Sequence, residues 1–246
     1  MGLIEQVKAV VLAAGKGTRL HNDEIDAPKV MREANGKPLL WYVLDALSFI
    51  DKKDIILVVG YKKESITEKF GEYPHAVQTE QLGTGHAVAA AKDLLDGFKG
   101  SVLICYGDMP AIKREVYEQL LETHFNEKND CTLLTGESSL KMAFGRIERD
   151  KTGSFLRVVE EKDCSPDQLK ITELNTGLYV LNTPMLMDAL KELKNDNSQG
   201  EYYLTDVPGI MRENGAKIGI LKKNLGDNII GVNTLEQLKM VESILS

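Results

Sequence analysis

Short β-branched runs alternate with stretches of helical period along this chain, and that alternation limits its fold more than any other feature. Val7–Leu12 is almost wholly apolar, as a strand covered on both faces must be. In 38–50 the apolar residues Leu40, Val43, Leu44 and Leu47 recur at helical spacing. The same reading predicts strands over 54–59, 101–106, 131–135, 155–159, 174–181 and 217–221. It predicts helices over 84–95, 112–125, 184–193, 204–214 and 234–245. Such a βαβ series folds into a mostly parallel, doubly wound α/β sheet, a Rossmann-like architecture. Ligands bound by such sheets lie beyond the carboxyl ends of the strands, so the segments that follow strands are where chemistry is sought.

A chain of 246 residues is long enough for one large α/β domain or two small ones. Its net charge of -7 argues against a nucleic-acid or anionic-membrane binder, which is usually basic overall. A small anionic substrate needs only a local basic patch. The three cysteines, Cys105, Cys131 and Cys164, are widely spaced and form no CxxC, which fits a reducing cytoplasm. The amino-terminal residues hold no apolar leader, and no run of about 18 apolar residues occurs.

The first strand runs into Leu12, Ala13, Ala14, Gly15, Lys16, Gly17, Thr18 and Arg19. Small residues let the backbone approach a ligand, and successive N–H groups in such a turn can cradle phosphate. Lys16 and Arg19 add positive charge. The loop is not a GxxxxGK[ST] phosphate loop, because Gly17 follows Lys16. Nor is it a GxGxxG dinucleotide turn. On composition alone it also reads as a plain connection with solvated charges.

Together with Ala27-Pro28-Lys29-Val30 and Gly36-Lys37-Pro38-Leu39, this loop resembles the opening of the sugar-1-phosphate nucleotidyltransferases. The resemblance implies a fold of the nucleotide-diphospho-sugar transferase type, with a nucleoside triphosphate along Leu12, Ala13, Ala14 and Gly15. It implies catalytic roles for Arg19, against the departing pyrophosphate, and for Lys29, against the reacting phosphoryl group. Gln78-Thr79-Glu80-Gln81-Leu82-Gly83-Thr84-Gly85-His86 is similar to the uridine-binding segment of bacterial N-acetylglucosamine-1-phosphate uridyltransferases. There Gln78 would read the uracil edge, assisted by Gly83 and Thr84. A Gln amide offers both donor and acceptor for that task. Read without the family, Thr84 is a helix cap.

Tyr106-Gly107-Asp108-Met109-Pro110 follows the third strand of the series. The resemblance makes Tyr106 and Gly107 substrate-binding and Asp108 a ligand of Mg²⁺, a hard cation that prefers oxygen. Gly231-Val232-Asn233 resembles the family's Gly-Val-Asn, which implies that Asn233 is both the second metal ligand and a substrate contact. Otherwise Asn233 reads as a cap for the last helix. Gly145, Glu160 and Asn175 fall where the family binds its amino sugar. Glu160 also reads as one charge of a solvated loop. The segment 199–206 completes a series of matches spanning about 7–245. The stretch His21–Ala27 is longer than the family's, Ala143-Phe144 stands where it has Gly-Tyr, and Ala111 stands where a larger aliphatic is common.

The expectation is therefore one domain over 1–246, without the C-terminal left-handed β-helix acetyltransferase domain that the family's enzyme carries. Its expected reaction turns UTP and N-acetylglucosamine 1-phosphate, or a related sugar 1-phosphate, into a UDP-sugar and pyrophosphate with Mg²⁺. Its expected partners are these small molecules, with no nucleic acid or membrane, and its oligomeric state is open. The rivals are a cytidylyl- or guanylyltransferase of the same fold and a non-catalytic nucleotide-binding module.

Overall fold

The computed structural model describes residues 6–17, 27–137, 143–224 and 226–246. Its strands are β1 (Val7–Leu12), β2 (Glu33–Ala34), β3 (Lys37–Pro38), β4 (Ile55–Val59), β5 (His75–Val77) and β6 (Ser101–Tyr106). They continue with β7 (Cys131–Gly136), β8 (Arg146–Arg149), β9 (Phe155–Val159), β10 (Leu174–Asn182) and β11 (Ile218–Lys223). The helices are α1 (Leu39–Ala46), α2 (Lys63–Lys69), α3 (Thr84–Ala89), α4 (Lys92–Leu95) and α5 (Arg114–Asn126). They end with α6 (Thr183–Glu192), α7 (Val207–Glu213) and α8 (Leu235–Ile244).

The main sheet runs β11-β7-β10-β6-β1-β4-β5, and β8 and β9 branch from β10 as an antiparallel pair. β1, inside the sheet, pairs in parallel with both β4 and β6. Along this path β10 runs against its neighbours, antiparallel to β6 and to β7. The sheet is thus mostly parallel, as expected. The reversed strand has a consequence that apolar periodicity does not carry: it brings the beginning of β10 to the edge where the parallel strands end.

Side-chain alternation divides β1 between two cores. Val7, Ala9 and Val11 enter one with Leu40 and Val43 of α1, Ile66 of α2 and Leu120 of α5. Val10 and Leu12 enter the other with Val88 of α3, Leu186 of α6 and Met211 of α7. A third, smaller cluster of Ala34, Leu39, Ile230, Val232 and Val241 docks α8 on the β2–β3 hairpin. Full burial of one such Leu or Val contributes about 1.5–3 kcal/mol. Among the described residues no helix is long and apolar enough to cross a membrane.

Some elements differ from the sequence expectation. The helix expected over 84–95 is two helices, broken at Ala91 with φ -84° and ψ 2°. Val88 and Leu95 both reach the second core, and the break lets each short axis point there. The helix expected over 204–214 opens with a 3₁₀ turn, Leu204–Asp206, before α7. α2, β5 and β8 are absent from the periodicity reading because each is short. α2 buries only Ile66, and β5 buries only Ala76.

Candidate functional site

β1 and β6 end side by side, and the backbone of Gly107 donates to the Leu12 carbonyl at 2.9 Å. This lays 13–15 next to 106–108. Lys29 opens a 3₁₀ turn after Pro28, and its Nζ forms an ion pair with the Asp108 carboxylate. The same ammonium donates to Asn233 Oδ1 at 2.9 Å. Three residues far apart in the chain therefore meet at one point.

The third cluster holds Asn233 there. The Val232 N–H donates to the Asp108 carbonyl at 2.9 Å, pinning 231–233 across the end of β6. Thr234, not Asn233, caps α8, in a capping box with Gln237. Gln237 Oε1 also accepts from the Asn233 backbone N–H at 2.7 Å. With the capping role filled by Thr234, the Asn233 carboxamide is left to face Lys29. Gln237 is a supporting residue that sequence reading passed over, although Thr-x-x-Gln just before an apolar face was its signal.

Two clefts meet at this point, and both are walled by Tyr106 and Asp108. The first, of about 260 Å³, is lined by Leu12, Ala13, Ala14, Gly15, Lys29, Gln78, Gly83 and Thr84. These are the residues expected to hold the nucleotide. Gly83 has φ 111°, and a Cβ there would stand 2.6 Å from the Tyr202 carbonyl oxygen, so only glycine fits. Thr84 does not cap α3: its N-cap is Gly83, and Thr84 Oγ1 accepts from the Leu204 N–H at 3.0 Å. That bond ties the cleft wall to the segment leading into α7.

The second cleft, of about 190 Å³, is lined by Gly145, Glu160, Asn175, Thr205, Gly231 and Asn233, with Ala143 and Phe144 at its side. It gathers the residues expected to hold a sugar. Asn175 and Gly145 are joined backbone to backbone at 2.9 Å, and Asn175 Nδ2 donates to the Tyr179 hydroxyl at 2.7 Å. Glu160 accepts from the Thr205 hydroxyl at 2.8 Å. Burial raises the Glu160 carboxyl above the usual carboxylate range, and Asp206, Asp163 and Glu201 push the same way. The loop is thus more than a solvated charge run. A larger cavity of about 520 Å³ opens beyond Glu160, walled by Asp163, Glu192, Asp196, Asp206 and Glu213. Arg157 and Lys194 also line it, but carboxylates outnumber them.

The sequence-predicted residues are therefore brought together, with one exception. Arg19, like 21–26, lies outside the described residues. Ala111 is fully buried, away from either cleft. A divalent cation has a fitting donor set here: one carboxylate and one carboxamide oxygen, both hard, converge on the same cation, at present an ammonium. Among the described residues no group of three or more His, Cys, Asp or Glu side chains is arranged for a metal, so remaining ligands would come from substrate oxygens.

The family model described as nucleotidyl transferase matches residues 8–223. The bifunctional protein GlmU of Streptococcus sanguinis is 42% identical over 238 residues, covering 96% of this chain and 51% of that protein. The bifunctional protein GlmU of Caldanaerobacter subterraneus subsp. tengcongensis is 41% identical over 243 residues, covering 98% of this chain and 52% of its own length. That of Clostridium perfringens is 41% identical over 239 residues, with 96% and 52% covered. The chain spans about half the length of the curated relatives it matches.

Proposed function

The chain belongs to the nucleotidyl transferase family, and we propose that it converts UTP and N-acetylglucosamine 1-phosphate to UDP-N-acetylglucosamine and pyrophosphate, with Mg²⁺ as its metal. One observation carries this reading. Lys29, Asp108 and Asn233 stand at the seam of two clefts, one fit for a nucleotide and one for a polar sugar. A phosphate that closes one cleft and a triphosphate that fills the other would meet there.

An oxygen of the sugar phosphate attacks the α-phosphorus of UTP and pyrophosphate leaves from the opposite side. A phosphate monoester has its second pKa near about 6, so the attacking oxygen is anionic at neutral pH and needs no general base. The difficulty is the mutual repulsion of two anions. Lys29 opposes it with a fixed positive charge at the meeting point. Asp108 and Asn233 would hold Mg²⁺, which when bound neutralises phosphate oxygens and fixes their geometry. Gln78, Gly83 and Thr84 bind and orient the base. Glu160, Thr205 and Asn175 offer a carboxylate, a hydroxyl and an amide to sugar hydroxyls and an acetamido group. In this reading Arg19 meets the leaving pyrophosphate.

The reading is tested by incubating the chain with UTP, Mg²⁺ and a panel of sugar 1-phosphates and identifying products by mass. N-acetylglucosamine 1-phosphate should give the UDP-sugar and an equal amount of pyrophosphate. Tight UTP binding without Mg²⁺-dependent pyrophosphate release would leave only a binding module.

A further inference from the structure

Gln78 is 5% exposed, and its carboxamide sits between two anchors. Nε2 lies 3.1 Å from the Gly83 carbonyl oxygen and 3.2 Å from His86 Nδ1. An amide nitrogen carries two hydrogens and accepts nothing, so each of its partners must be an acceptor. The Gly83 carbonyl can be nothing else, and it therefore decides which end of the amide is nitrogen. His86 Nδ1 must then present its lone pair, which leaves the ring proton on Nε2.

We infer that His86 is a positioning residue for base selection: with Gly83 it engages both hydrogens of Gln78 and leaves Oε1 as the end that meets the base. This rests on the uridine reading of the first cleft. The pairing edge of uracil carries two carbonyl oxygens and a single donor, N3–H. An amide whose hydrogens are both engaged can meet that edge only at N3–H. Cytosine presents a lone pair at N3, so at the same position it sets acceptor against acceptor. Discrimination of this kind is strong because a buried polar group is left without its partner. The selectivity of Gln78 is then a property of a pair, and His86 supplies the half that a plain glutamine lacks.

Steady-state kinetics with UTP, CTP, 3-methyl-UTP and 4-thio-UTP test this on the whole chain. The unmodified protein should reject 3-methyl-UTP and use 4-thio-UTP nearly as well as UTP. The opposite order would place the contact at O4 and overturn the inference. In His86→Ala the UTP-over-CTP ratio of kcat/KM should fall about tenfold, through the KM for UTP with little change in kcat. His86→Asn places an acceptor oxygen near the position of Nδ1 and should restore the ratio. An unchanged ratio in His86→Ala, or an equal loss in the asparagine variant, would overturn it. Gln78→Ala separates the two layers. If its ratio is intact, the uridine reading of Gln78 fails; if it collapses while that of His86→Ala holds, only the role of His86 fails. Nitrogen NMR of His86 supplies a readout free of kinetics, and a protonated Nδ1 in the unliganded protein would also refute the arrangement.

Discussion

The cleft around Gln78 and the cleft around Glu160 share a wall, yet they are assembled by different means. In the first, most of the wall follows parallel strands: Ala13 follows β1, Gln78 follows β5 and Asp108 follows β6, with Lys29 and Glu201 added from other segments. Backbone and small residues form much of its surface. In the second, Asn175 begins the reversed strand β10, Gly145 precedes β8, Glu160 follows β9, and Thr205 lies in the turn before α7. Its polar surface is side chains, held by one another. The first cleft is thus a product of sheet topology, and the second of tertiary contacts among segments that differ in direction. Such a division would let the sugar side vary while the nucleotide side stays fixed.

The seam offers the sharpest test of that contrast, because its residues serve both sides. Lys29→Ala and Asp108→Ala should each lower kcat on the order of 10²-fold or more, the scale of losing one transition-state donor. Neither variant should single out one substrate in KM. A variant with near-normal kcat and only one raised KM would show that the two clefts do not meet at the reacting atoms. Gly177→Ala is expected next in size. Gly177 has φ 79°, and a Cβ on it would run into the ring of Tyr106, which walls both clefts. Strain of this kind costs about 1–2 kcal/mol before the ring is displaced. A thermal melt should show the loss, and both KM values should rise together.

Variants inside a single cleft should then separate the substrates. Glu160→Gln keeps the shape and removes the charge, so KM for the sugar phosphate should rise about tenfold while KM for UTP holds. Equal rises in both constants would mean that the clefts act as one unit, and the contrast would be lost.

How far each cleft could be read from the sequence follows the same division. β1, β4 and β6 are continuous apolar runs, and the rule that ligands lie beyond strand ends points directly to Ala13–Gly15 and Gly107-Asp108. The direction of β10 was not legible, because apolar alternation is the same in either sense. Nor was β8, whose four residues carry two arginines and pair with β9 and with the start of β10. Residue resemblance supplied Gly145, Glu160 and Asn175 where periodicity did not. Several bonds that hold the site join positions remote in sequence, such as Thr205 with Glu160 and Thr84 with Leu204. No local pattern encodes such pairs. Gln237 with Asn233, Asn175 with Tyr179 and Gln78 with Gly83 are local instead, and the first comes with a capping box that the sequence does encode.

The smallest expected effect concerns the acidic cavity beyond the second cleft. Asp206 lies next to Thr205, and its carboxyl is pushed up from 3.8 to about 6, first by burial and then by Asp163 and Asp196, with Arg157 opposing. A carboxyl raised in the folded state binds its proton more tightly there than in the unfolded chain. Stability is therefore greatest where both states are protonated, and it falls as pH rises from about 4 to about 6. Above that window the cost of the buried charge is constant. Asp206→Asn removes it, so the variant should melt higher than the parent at pH 7 to 8 and level with it near pH 4. The melting temperature against pH checks this, and parallel curves for the two proteins would refute it. KM for UTP should not change in Asp206→Asn, because Asp206 lines neither Gln78 nor the loop after β1. A shift in that constant would show the acidic cavity acting through the shared wall, and the two regions would no longer be independent.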